Sequence, residues 1–202
     1  MTKPNTYLFD FYGVLLKQDA PGQLKRVFRA VGEPEKETKL QEIYEELRPD
    51  LDAGRVSEIN YWNQIKLRAQ LEFLDPQEAI SADYAGLEEA DPEMVNFALS
   101  LKQAGHHIGV LSNIPKGLAQ IVKHHNQSWL DQLDALVFSC DIGAAKPELP
   151  AFHAAQEALG VPASEIVFID DRLENVEAAR EAGMQAFVFT SLAQLKKDLE
   201  HE

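Results

Sequence analysis

Cysteine is nearly absent. Cys140 is the only one in 202 residues, so no disulfide can form within the chain. Long apolar runs are absent as well. None approaches the roughly 20 residues that a membrane-crossing helix needs. Residues 1–6 lead into the first apolar run without a signal-like segment. Positive charge is scarce: 19 Lys and Arg stand against 33 Asp and Glu, a formal net charge of −14. That balance opposes nucleic-acid binding, which needs a basic face, and it opposes an anionic membrane surface. It leaves room for a small anionic substrate, because a metal ion and one lysine can reverse the local sign. Repeats and low-complexity segments are missing too. These absences leave a cytoplasmic protein, monomer or homodimer, with no nucleic-acid or membrane partner. At this length roughly 70% of the unfolded surface can be buried, so folding needs no disulfide or metal.

What is present begins with Tyr7-Leu8-Phe9-Asp10-Phe11-Tyr12-Gly13-Val14-Leu15. The apolar run reads as a buried strand. It ends in an acid, and Gly13 lets the chain turn sharply. A carboxylate at the end of a buried strand either caps a turn or serves a ligand site, since open α/β sheets bind ligands at that edge.

Residues 17–85 contain no second strand-like run. Helices are predicted over 22–31, over 35–47 ending before Pro49, from Ser57 with Ile59, Tyr61, Trp62, Ile65 and Leu67 at apolar positions, and over 76–82. A structureless loop of that length is uncommon, so residues 17–85 read as a helical subdomain inserted into a core of 1–16 and 86–202. From Asp91 strands and helices alternate. Asp91 caps a helix that Pro92 opens and Gly105 closes. Strands are predicted at 108–111, 135–138, 166–169 and 186–189, with helices between them, and Ser191 with Gln194 forms a capping box for the last helix. Continuous apolar strands alternating with helices predict an α/β fold: a parallel, Rossmann-like sheet covered on both faces.

Parallel strands share one carboxyl edge. There the chain places Asp10, then Ser112-Asn113, then Lys146, then Asp170-Asp171. Each has a structural reading taken alone. Ser112-Asn113 and Asp170-Asp171 can cap helices, and Lys146 before Pro147 can be an exposed loop lysine. Their common edge is what points to chemistry. Two carboxylates about 4 Å apart repel by roughly 4 kcal/mol at an effective dielectric near 20, so three need a cation or shared protons. Oxygen ligands select a hard ion such as Mg²⁺, which binds through carboxylates and substrate phosphate. Lys146 supplies a point charge, and Ser112 a donor for phosphate oxygens. Together they describe phosphoryl transfer to an aspartate followed by attack of water.

On Phe9-Asp10-Phe11-Tyr12-Gly13-Val14-Leu15, Leu111-Ser112-Asn113, Lys146-Pro147-Glu148 and Phe168-Ile169-Asp170-Asp171-Arg172, the chain resembles the haloacid dehalogenase superfamily of hydrolases. Residues 17–85 match the family's helical cap. The resemblance implies Asp10 as nucleophile and Mg²⁺ ligand, with the backbone carbonyl of Tyr12 facing the metal. It implies Asp171 as the main later ligand with Asp170 beside it, and Ser112 and Asn113 as phosphoryl-binding residues. Lys146 would balance charge, and the substrate would be a small phosphorylated metabolite. The family's phosphatases usually carry a second aspartate two residues after the first; this chain has Tyr12 there. General acid–base help is typically worth 10²–10⁴-fold. The family's metal-independent dehalogenases also carry Asp-x-Tyr-Gly, so 2-haloacid dehalogenation is the alternative, and a catalytically weak phosphate- or metal-binding protein is another. The Asp170-Asp171 pair favours the phosphatase.

His106-His107, His124-His125 and Cys140 read as structural, and Tyr61 and Trp62 as cap core. Nothing in the sequence orients Arg55 or Asn60 towards the site.

Overall fold

The computed structural model describes residues 6–18 and 20–200. Five strands form one parallel sheet: β1 (Thr6–Phe9), β2 (His107–Ser112), β3 (Ala135–Phe138), β4 (Ile166–Asp170) and β5 (Gln185–Val188). Their order is β3-β2-β1-β4-β5. β1 is central and pairs with β2 on one side and β4 on the other, Phe9 meeting Val110 and Ile169. Strand order reverses at β1, and that is where open α/β sheets leave a crevice at the carboxyl edge.

The strands are apolar throughout because both faces are covered. Side chains alternate between the faces along each strand. Phe9, Val110 and Ile169 enter a cluster on one face with residues of α5 (Pro92–Gln103) and α6 (Lys116–His125). Leu8, Leu111 and Phe168 enter a cluster on the other face with residues of α9 (Leu149–Leu159) and α10 (Leu173–Glu181). Short helices α7 (Gln127–Leu130) and α8 (Ser139–Ile142) lie between these elements in the chain, and α11 (Leu192–Glu200) is the last described helix.

Four helices follow β1: α1 (Ala20–Val31), α2 (Glu37–Asp52), α3 (Glu58–Ala69) and α4 (Pro76–Tyr84). They have an apolar centre of their own, with Tyr61, Trp62 and Ile65 fully buried among Val27, Leu40 and Leu74. Ser57 caps α3 by accepting from Asn60 N, and Asp75 caps α4 by accepting from Gln77 N and Glu78 N. Burial of this kind stabilises a side chain by roughly 1.5–3 kcal/mol, which outweighs the weak helix propensity of an aromatic-rich segment.

Three local expectations are corrected. α2 does not stop before Pro49; it runs through it to Asp52. Proline removes one i→i−4 bond, but Leu51 is buried, and the carbonyl of Asp52 accepts from Ser139 Oγ at 2.5 Å, so tertiary contacts hold the last turn. Ile59 and Leu67 are exposed, because α3 buries only the stripe of Tyr61, Trp62, Ile65 and Ala69. At α11 Ser191 Oγ accepts from Gln194 N, but the Gln194 side chain donates to Asp198, so only half of the capping box forms. Among the described residues no helix is long and apolar enough to cross a membrane.

Candidate active site

Asp10 leaves the carboxyl end of β1, and its amide still donates to Ile169 O on β4. Its Oδ1 accepts from Phe11 N and from Lys146 Nζ, both at 2.6 Å. Oδ2 has no hydrogen bond among the described residues, so one oxygen is held and the other is free. Burial pushes the Asp10 carboxyl up to about 7, against the downward pull of Lys146.

Lys146 is not a loop lysine in solvent; it is 5% exposed. Its Nζ sits between Asp10 and Asp170, at 2.6 and 2.7 Å. Burial works against the ammonium, but the two carboxylates outweigh it and hold its pKa above the usual lysine value. Asn113 positions this lysine. Its Nδ2 donates to Lys146 O and its Oδ1 accepts from Lys146 N, each at 2.7 Å. Asn113 also reaches the cavity wall, and only one of its two Nδ2 protons is used in the bond to Lys146 O. Ser112 is fully buried at the end of β2, and its hydroxyl makes a single long contact of 3.5 Å to Asn113 O. Neither residue caps α6, whose N-cap is Pro115 without a side-chain bond.

Asp170 and Asp171 differ sharply. Asp170 is fully buried at the end of β4, and its two oxygens accept from Lys146 Nζ, Arg172 N and Asn175 Nδ2. Asp171 is half-buried and lines the cavity. Burial raises its carboxyl, with Asp170 adding to the effect. Gly13 makes its position possible. A Cβ there would lie 2.5 Å from Asp171 Oδ2, and the φ of +82° is one that L side chains rarely adopt.

Asp10, Asp170 and Asp171 offer carboxylate oxygens that all lie within 4.8 Å of one another. Against three acids stands one buried ammonium, and Asn175 Oδ1 is a buried oxygen without a partner. Hard oxygen donors with excess negative charge fit a small divalent cation. Asn175 is the third residue of α10, and nothing in the sequence by itself marks it as a site residue.

The cavity above this edge has a volume of about 220 Å³ and reaches into the helical layer, where Gln23, Tyr44, Arg48 and Asp52 line it. These were not legible as site residues. Arg48 and Asp52 stand at i,i+4 on α2, a spacing that equally suits a surface ion pair, and it is the fold that leaves their side chains only 20% and 15% exposed. Arg55 instead pairs with Glu148 at 2.6 Å beside the core, and Asn60 lies away from the cavity. The Cys140 thiol is pushed up to about 11 by burial and Asp141, as suits an unreactive residue.

The family model described as haloacid dehalogenase-like hydrolase matches residues 4–183. A phosphatase of Mycobacterium tuberculosis is 34% identical over 116 residues, covering 55% of this chain and 51% of its own length. A drimenol cyclase of Aspergillus calidoustus is 24% identical over 195 residues, 95% of this chain but 35% of its own. The chain thus spans about a third to a half of these curated relatives. Among solved structures, a family enzyme from Bacteroides thetaiotaomicron superposes with a TM-score of 0.80 at 18% identity, covering 96% of this chain and 99% of that one. The same enzyme with magnesium and inorganic phosphate gives 0.75 at 19% identity, over 95% and 98%. An L-2-haloacid dehalogenase gives 0.68 at 23%, over 95% and 88%. At these identities the superpositions speak for the fold alone, and the family match, continuous from β1 to the end of α10, carries the assignment: this chain belongs to the haloacid dehalogenase-like hydrolases.

Proposed function

We propose that the protein is a Mg²⁺-dependent phosphatase that hydrolyses a small phosphate monoester through an aspartyl-phosphate on Asp10. The observation that carries this reading is the Asp10–Lys146–Asp170–Asp171 cluster: a buried carboxylate with one tethered and one free oxygen, beside acids that outnumber their lysine. Asp10, Asp171 and the Tyr12 carbonyl would hold the ion, with Asp170 and Asn175 behind them. When bound, Mg²⁺ supplies positive charge to the phosphate oxygens.

The chain's own groups account for the rest. Lys146 holds Asp10 Oδ1 and leaves Oδ2 to attack phosphorus. As the Oδ2–P bond forms, the bond from phosphorus to the leaving alcohol oxygen breaks. With Tyr12 in place of a second acid, the departing alkoxide takes its proton from water; a water then attacks phosphorus, returns one proton to the solvent, and the Asp10 carboxylate leaves. Ser112 and backbone amides at the end of β2 donate to phosphate oxygens. The helical layer excludes bulk water and meets the leaving group. Phosphatase relatives and the magnesium and phosphate found with the Bacteroides enzyme support this reading. Hydrolysis of an activated aryl phosphate should require Mg²⁺ and disappear in Asp10→Asn; activity that survives chelation or that substitution would refute it.

Tyr12 keeps one second reading in view. An Asp-x-Tyr-Gly stretch without the second acid also suits dehalogenation, and halide release from a short 2-haloacid without metal would establish it.

A further inference from the structure

The cavity's remaining polar groups come mainly from the helical layer and take no part in the chemistry above. Arg48 Nε donates to Asp52 Oδ1 at 2.8 Å, and its Nη1 donates to Asp83 Oδ2 at 3.0 Å and to the Tyr44 hydroxyl. Tyr44 donates to Asp83, and Gln23 Nε2 donates to Asp83 as well, both at 2.7 Å. The network is closed except at three places. Arg48 Nη2 and Asp52 Oδ2 have no hydrogen bond among the described residues. From the core side the Tyr12 hydroxyl is buried and without a partner, although Tyr12 lines the same cavity. A buried hydroxyl left unpaired is costly and calls for an explanation.

Every cation on the cavity wall already has an acid beside it, and the acids outnumber the cations. Arg48 has two carboxylates, Asp52 and Asp83. Lys146 has Asp10 and Asp170. Arg172, the remaining cation on the wall, lies at its solvent-exposed rim beside Glu174. A bound phosphate dianion and a divalent cation would cancel each other. No cation is left over for a second anionic group, which would approach Asp52 and Asp83 with only their own arginine between them.

We propose that this part of the cavity receives the alcohol half of the substrate, and that this alcohol is uncharged and bears hydroxyl groups. Arg48 Nη2 and the Tyr12 hydroxyl donate to its oxygens, and Asp52 Oδ2 accepts from one of its hydroxyls. An apolar alcohol leaves these three groups unpaired, and a carboxylate-bearing alcohol meets uncompensated acids. This specificity rests on the phosphatase reading.

The test compares kcat/KM, with Mg²⁺ present, for glycerol 3-phosphate, 3-phosphoglycerate and butyl phosphate, with an aryl phosphate as reference. The wild-type protein should prefer the glycerol ester over each of the others by at least about tenfold. In Asp52→Asn one negative charge and one acceptor are lost, so the ratio of glycerol ester to phosphoglycerate should fall by about tenfold. Tyr12→Phe removes a hydroxyl that no folded contact uses; it should lower the glycerol ester severalfold more than butyl phosphate, and it keeps the test alive if Asp52→Asn fails to fold. If the aryl phosphate is hydrolysed but phosphoglycerate or butyl phosphate is preferred, or if neither substitution moves these ratios, the specificity is wrong and the phosphatase reading stands. If no ester is hydrolysed, aryl included, the phosphatase reading fails and the specificity falls with it.

Discussion

The strand edge and the helical layer place charged groups in the same cavity, but they hold them differently. At the edge, Asp10 and Asp170 end adjacent strands whose backbones are locked in register, and Lys146 is clamped at its own amide and carbonyl by Asn113. In the layer, Gln23, Arg48 and Asp83 come from three helices and are held by one another's side chains. Backbone-anchored groups keep their distances within a few tenths of an ångström, which chemistry requires. A side-chain network can be re-partnered by a substrate hydroxyl. The contrast suits a rigid reacting edge beneath an adaptable wall.

The largest effect that sharpens this contrast is expected at Asp10, the nucleophile of the proposed phosphatase. Asp10→Asn should reduce turnover on the order of 10⁶-fold, the scale seen when a nucleophile is removed, with the fold intact by circular dichroism. Next come the two neighbouring acids. Asp170→Ala strips Lys146 and Asn175 of a buried partner and should destabilise the protein by roughly 3–5 kcal/mol in urea titrations. Asp171→Ala should cost much less stability but weaken Mg²⁺ more than Asp170→Ala does in calorimetric titration. Equal Mg²⁺ losses, or similar stabilities, would break the division of labour drawn here.

A smaller effect concerns pH. Without metal, burial holds the Asp10 carboxyl at about 7, so below pH 7 it carries a proton that an incoming cation must displace. Mg²⁺ affinity should therefore fall as pH drops through 7, approaching about tenfold per pH unit for one displaced proton. A flat dependence between pH 8 and 6, read by calorimetry, would contradict this. The smallest effect is at the seam between the two regions. Arg55 meets Glu148 with both side chains more than a third exposed. Arg55→Ala should change stability by less than about 1 kcal/mol, and a larger loss in thermal denaturation would mean that the seam is more than a surface contact.

Much of this was legible in the chain. The alternation of strands and helices after Asp91, the helix Lys116–His125, the strand Ala135–Phe138 and the cap at Asp91 all appear where local signals place them. These signals are short-range: apolar periodicity, a capping acid, glycine after a helix. Asp10, Lys146, Asp170 and Asp171 were found because parallel strands must share an edge. Pro49 misled because its neighbours' tertiary contacts outweigh one missing backbone bond.

The sequence by itself determined the sheet, the helical insertion and the set of groups at the strand edge, because backbone propensity and crossover geometry constrain them without knowledge of packing. Only the tertiary structure decided which of those groups are free. It buried Lys146, bonded Asn113 to the lysine's backbone, saturated Asp170, and turned Asp171 inward over Gly13. It also brought Arg48 and Asp52 to the cavity from a helix whose surface pattern reads as solvent-facing. Burial and hydrogen-bond partnership depend on what lies across space, and along α2 nothing within a few residues of Arg48 encodes Asp83.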